Sequence, residues 1–144
     1  MNRVILVTGG FDPIHGGHIK YIRSAKKIDP PSPLCVGLNS DDWLIRKKGK
    51  YFMDFDERKE VVSGMKDVDV VIPFIDKDES ACDAIDMCLQ IYDLVIFANG
   101  GDRGDGNTPE FDKFKDDYRV HFRWEVGGDN KHNSSSEILK RWSI

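Results

Sequence analysis

Short apolar runs alternate with amphipathic stretches along the whole chain, and most runs stop at glycine, proline or a polar turn. Arg3 to Thr8 reads as a buried strand rich in β-branched residues, ended by Gly9-Gly10. From Gly17 to Ile28 the apolar residues Ile19, Ile22 and Ala25 recur at helical spacing. The segment Asp29-Pro30-Pro31-Ser32-Pro33 then forbids helix. Leu34 to Leu38 predicts a second strand, and Ser40-Asp41-Asp42 caps a short helix. Phe55 to Met65 predicts a helix with Val61, Val62 and Met65 on one side, and Val68 to Phe74 a third strand. Ser80 to Tyr92 is an amphipathic helix, and Leu94 to Ala98 a fourth strand stopped by Asn99-Gly100-Gly101. Pro109 to Tyr118 predicts a helix, Val120 to Val126 a fifth strand, and Ser135 to Trp142 a closing helix.

No repeat or linker divides this pattern, so residues 1–144 read as one domain. Strands alternating with helices predict an α/β fold, a doubly wound, Rossmann-like five-stranded parallel sheet with helices on both faces. In such sheets ligands sit beyond the carboxyl ends of the strands, near the switch in strand order. Chemistry is therefore expected at Gly9-His18, Ser40-Lys50, Asn99-Arg103 and Gly127-Ser136, the polar, glycine-rich parts of the chain.

Composition narrows the function classes. A formal charge of −4 argues against a nucleic-acid partner held by bulk electrostatics. The run Val4-Ile5-Leu6-Val7 is too short for a signal segment or a membrane span, so the expected location is the cytoplasm, with no membrane partner. Cys35, Cys82 and Cys88 show no metal-ligand spacing and are expected to be reduced, mostly buried thiols; no metal site is expected from the protein itself. Positive charge is densest at Arg46-Lys47-Lys48-Gly49-Lys50, a pattern that fits a polyanionic small ligand and equally a solvated loop.

The segment from Gly9 to His18, GGFDPIHGGH, joins the first strand to the first helix. Free backbone N–H groups and the helix dipole favour phosphate at such a junction. Gly9 and Gly10 let a ligand approach the backbone, and Gly16 and Gly17 leave space beside the helix start. His15 and His18 share one face of the first turn and suit phosphate oxygens, or else serve as capping residues. The dinucleotide spacing G-x-G-x-x-G is absent, which disfavours an NAD-binding module, and so is a Walker A loop.

This loop resembles that of the HxGH nucleotidyltransferases, the cytidylyltransferase-like superfamily. Among its members the chain looks most like glycerol-3-phosphate cytidylyltransferase and the nucleotidyltransferase domain of ADP-heptose synthase. The likeness runs on through the helix from Gly17 to Lys26, Asn39-Ser40-Asp41-Asp42 with Lys48-Gly49, Phe55-Asp56-Glu57-Arg58, and Val68-Asp69 with Val71-Ile72-Pro73. It ends with Asn99-Gly100-Gly101-Asp102, at the place of the family's G-x-D motif, and Ser134-Ser135-Ser136-Glu137-Ile138 at the last helix. The aromatic that usually follows G-x-D is Arg103 here.

The resemblance implies transfer of a nucleoside monophosphate from an NTP, CTP in preference, to a phosphorylated sugar or polyol, with release of pyrophosphate. An ATP-using adenylyltransferase and a nucleotide-binding sensor without turnover are the alternatives. It implies that His15, His18 and Lys48 are catalytic, with Gly9, Gly10, Phe11, Asp102, Ser134 and Ser135 binding the nucleotide. Lys47 and Arg58 would contact the substrate, Arg58 being otherwise a helix-surface arginine, while Asp12 lies near the phosphates or structures the turn. Mg²⁺ is expected to arrive chiefly on the NTP phosphates. The partners implied are the NTP, the phosphorylated acceptor and a second copy of the chain in a homodimer.

Overall fold

A computed structural model describes residues 2–101, 104, 108–128 and 134–143. Its elements are β1 (Arg3–Gly9), α1 (Gly16–Lys26), β2 (Leu34–Leu38), α2 (Asp41–Lys48), α3 (Phe55–Ser63) and β3 (Val70–Pro73). They continue with α4 (Cys82–Leu89), β4 (Leu94–Ala98), α5 (Pro109–Phe114), β5 (Val120–Arg123) and α6 (Ser135–Trp142). The five strands form one sheet in the order β3-β2-β1-β4-β5. All four pairings are parallel, with Gly9 opposite Leu38 and Leu6 opposite Phe97.

Alternation along β1 decides which core each residue enters, because successive side chains leave a strand on opposite faces. Ile5 and Val7 join Ile22 and Ala25 of α1 and Val62 of α3 on one face. Val4 and Leu6 join Ala84, Ile85 and Cys88 of α4 and Phe114 of α5 on the other. Burial on both faces explains why the central strands read as continuous apolar runs. The three cysteines are free and buried. No helix among the described residues is long and apolar enough to cross a membrane.

Where elements are shorter than the hydrophobic pattern predicts, a local reason is visible. β5 stops at Arg123 because the chain turns there: Glu125 and Gly127 take positive φ angles of 56° and 86°, and the Val126 N–H donates to the Asn99 carbonyl. α4 starts at Cys82 although Ala81, its N-cap, has no capping side chain. The Ser80 Oγ takes the Cys82 N–H at 3.2 Å instead, and the carboxylate of buried Glu110 in α5 takes the Ala81 N–H at 2.8 Å. A carboxylate at a helix N-terminus is favoured by the dipole as well.

The chain steps outward from β1 to β2 and β3, then crosses back to β4 and β5. The strand order therefore reverses at the carboxyl ends of β1 and β4, where a crevice must open.

Candidate active site

A cleft of about 840 Å³ occupies this switch point. His15 and His18 sit at its centre and cap their own helix. The His15 Nδ1 accepts the Gly17 N–H at 3.0 Å, and the His18 Nδ1 accepts the His15 N–H at 3.2 Å. A ring that is neutral in this arrangement carries its proton on Nε2. The rings lie 4.0 Å apart between centroids, and Phe11 meets His18 edge-on at 4.8 Å. Burial first, then the neighbouring His15 and Lys48, push the His18 pKa down to about 3, so the ring is neutral at physiological pH.

This geometry commits two of the loop amides and separates the roles of the glycines. The Gly17 amide is held by the His15 ring and the His18 amide by the His15 carbonyl, at 3.0 Å each. The imidazoles, rather than those two amides, are therefore the donors presented here. The glycines also have separate reasons. A Cβ on Gly17 would stand 2.7 Å from Cε1 of His15, whereas one on Gly16 would meet nothing. Gly9 underlies the buried Phe11 ring, at 3.1 Å for a Cβ, while Gly10 and Phe11 line the cleft.

The opposite wall comes from α2. Ser40 caps this helix through its Oγ, and buried Asp76 holds Ser40 by its N–H and Oγ at 2.8 Å each. Lys48 closes the helix, and its Nζ donates to the Asp12 carbonyl at 3.0 Å, bringing the lysine to the histidine loop. Burial lowers the Lys48 pKa, the Asp12 carboxylate opposes that shift, and Lys47 adds to it. Lys47 lies one turn after Trp43, its Nζ 4.7 Å from the centre of that ring. Both lysines line the cleft with the two histidines.

Asp12 and Arg58 prove to be scaffolding. The Asp12 carboxylate accepts the Phe52 and Met53 N–H groups at 2.6 and 2.7 Å, tying the segment after α2 to the histidine loop while Asp12 still borders the cleft. Arg58 is fully buried, contrary to both the substrate-contact and the helix-surface expectation. Its guanidinium donates to the carbonyls of Met53, Gly10 and Asn39 and to the Asp41 carboxylate, at 2.7–2.9 Å. It ties the loops after β1 and β2 together from behind the cleft and has no face turned to a ligand. Its place after Asp56 and Glu57 on a charged helix start concealed this.

The remaining wall is glycine-rich. Gly100, Gly101, Gly127 and Gly128 border it, and Tyr21 lies against it with its hydroxyl donating to the Ala98 carbonyl. A Cβ on Gly100 would meet the Tyr21 ring at 3.1 Å. Asp102 lies outside the described residues. Ser134 caps α6 by accepting the Glu137 N–H at 3.1 Å, and the Ser135 Oγ donates to the Pro13 carbonyl at 2.7 Å. Both serines line the cleft. Tyr21 and Trp43 were not singled out from the sequence, yet a signal existed: Tyr21 follows His18 by three positions, and Trp43 precedes Lys47 by four, so each shares a helix face with a chosen residue.

Fold and cleft together define an α/β protein with two imidazoles and two lysines gathered at a sheet switch point. Residues 6–141 match the model of the cytidylyltransferase-like family. The chain belongs to that family and is a nucleotidyltransferase. It is 28% identical over 134 residues to glycerol-3-phosphate cytidylyltransferase of Bacillus subtilis (strain 168), covering 93% of this chain and 95% of that protein. It is 36% identical over 74 residues to the bifunctional protein HldE of Shewanella sediminis (strain HAW-EB3). That match spans 50% of this chain and 15% of the relative. The lipopolysaccharide core biosynthesis protein from Thermoplasma volcanium GSS1 shares the fold, with a TM-score of 0.59 and 24% identity over 85% of this chain and 95% of that one.

Proposed function

We propose that this nucleotidyltransferase is a cytoplasmic enzyme that transfers the cytidylyl group of CTP to a phosphorylated sugar or polyol and releases pyrophosphate. The observation that carries the reading is the convergence of His15, His18, Lys47 and Lys48 on one cleft at the switch point. CTP is favoured over ATP because the likeness to the Bacillus cytidylyltransferase extends over nearly the full length of both chains.

A phosphate oxygen of the acceptor attacks the α-phosphorus of CTP. The new O–P bond forms as the bond to the bridging oxygen breaks, and pyrophosphate leaves with that electron pair. The acceptor phosphate is anionic near neutral pH and needs no general base. The work left to the protein is to bring two polyanions together and to stabilise charge added at the α-phosphate. The Nε2–H groups of His15 and His18 donate to the α- and β-phosphates, His18 facing the developing charge. Lys48 bridges to the α-phosphate, and Lys47 takes the acceptor phosphate. Ser134 and Ser135 hold the far phosphates, and the glycine wall with Asp102 holds the base. Among the described residues no group of three His, Cys, Asp or Glu side chains could hold a metal ion. Mg²⁺ would be held by the triphosphate, where it offsets charge. We also propose that the enzyme works as a homodimer, for which light scattering of the purified chain gives the test.

Pyrophosphate release with CTP, ATP, GTP and UTP against a panel of phosphorylated sugars and polyols tests the reaction. CTP should support turnover that depends on an acceptor. Tight NTP binding with no release on any acceptor would reduce the protein to a nucleotide binder.

A further inference from the structure

The cleft has two unlike ends. β1 is the central strand, so the histidine loop divides the cleft into a β4–β5 side, bordered by glycines such as Gly100 and Gly127, and a side built by α2. The glycine side offers backbone and the Tyr21 ring, whose hydroxyl is already bonded to the Ala98 carbonyl. The α2 side offers the one tryptophan that borders the cleft, Trp43, among the described residues. This indole is half-buried and fixed in place: a Cβ on Gly10 would stand 3.3 Å from its Cζ3, so the ring packs directly on the backbone of the histidine loop. An aromatic ring held against the reacting loop, one helical turn from Lys47, is more than core filling, because its surface still borders the cleft.

Lys47 sits over that ring, 4.7 Å from the centroid, and its side chain is exposed. A cation–π contact at an exposed site is weaker than a charge-assisted hydrogen bond to a phosphate dianion. An arriving acceptor phosphate therefore draws the ammonium away from the indole and uncovers its face. The face of an aromatic ring is electron-rich, and the C–H groups of a sugar or polyol, polarised by their oxygens, are complementary to it. We infer that Trp43 is the positioning residue for the acceptor: Lys47 rests on the indole until it binds the acceptor phosphate, and the acceptor's carbon skeleton then stacks where the ammonium was. The inference rests on the acceptor role proposed for Lys47 above and adds the residue that recognises the uncharged part of the substrate.

The test uses the whole chain, its Trp43→Phe and Trp43→Ala variants, and three probes: glycerol 3-phosphate, glucose 1-phosphate and inorganic phosphate. Acrylamide quenching of the fluorescence that wild type shows and Trp43→Phe lacks reports access to this indole, free of Trp124 and Trp142. At least one of the organic phosphates should lower that quenching about twofold, whereas inorganic phosphate should leave the indole open. With an acceptor that turns over, Trp43→Ala should raise its KM about tenfold, roughly one lost stacking contact. Trp43→Phe should fall between, and the KM for CTP should stay within about twofold. Absence of protection by both organic phosphates overturns the inference, as does an equal rise of both KM values in either variant. Protection without pyrophosphate release would leave Trp43 assigned and the reaction refuted; release with Trp43 unprotected would do the reverse.

Discussion

His15 and His18 cap a helix and face a cleft with the same rings, and the cap determines what the cleft receives. Since each Nδ1 is an acceptor, each neutral imidazole is an Nε2–H donor without any need for a carboxylate behind it. Replacing His18 by alanine should cost about 10²–10³ in kcat while circular dichroism shows an intact fold; unchanged turnover would remove His18 from the site. Its depressed pKa also has a sign for stability. The unfolded chain binds this proton below the ordinary value of 6.5 while the folded protein resists it down to about 3. The contribution is fully present above pH 6.5 and is lost progressively as pH falls towards 3. The melting temperature of wild type should therefore drop more steeply between pH 6.5 and 4 than that of His18→Asn, whose amide does not titrate. Arg58 belongs to the same scale. Removing its side chain leaves three carbonyls and the Asp41 carboxylate without their donor. Arg58→Ala should lower stability by about 3–5 kcal/mol in urea titration, whereas a solvent-facing arginine would cost almost nothing.

Among the helices, α6 stands apart. It is eight residues long, has no buried residue, and its Trp142 is 80% exposed. Helices this short are marginal in water by themselves. Ser134 as cap and the Ser135 link to Pro13 hold its first turn against the cleft. Its amides should exchange quickly in the free protein and slow down when CTP is added, read by hydrogen-exchange mass spectrometry. Ser135→Ala should weaken CTP binding several-fold in calorimetry; an unaltered affinity would confine Ser135 to the link. α4 teaches the opposite lesson about legibility. Its amphipathic pattern and its start near Ser80 were plain, and the Ser80 Oγ takes the Cys82 N–H, yet the carboxylate that takes the Ala81 N–H comes from Glu110, 29 positions away, which no local pattern announces.

At the scale of the molecule, one feature of topology gathers the chemistry: the reversal of strand order between β1 and β4. Loops after β1, β2, β4 and β5 all border one cleft, so a nucleotide bound there touches segments from Thr8 to Ser135. Such a ligand binds only the folded chain and must stabilise it. CTP at about 100 times its Kd should add about 2.7 kcal/mol, seen as a rise in melting temperature. ATP, GTP and UTP at the same concentration should raise it less, and a larger shift with ATP would move the assignment to an adenylyl donor.

The alternation of apolar runs with amphipathic stretches was enough to determine five strands, the buried character of the central three, the parallel sheet and the loops that line the cleft. Strand and helix periodicities, glycine stops and caps such as Ser40 and Thr108 act within a few residues and are therefore written locally. Tertiary structure alone decided that Arg58 and Asp12 turn inward, that Glu110 caps a distant helix, and that Tyr21 and Trp43 form opposite walls around the histidines. Those outcomes depend on which groups a neighbouring element leaves unpaired, and a partner supplied from tens of residues away has no periodicity to announce it.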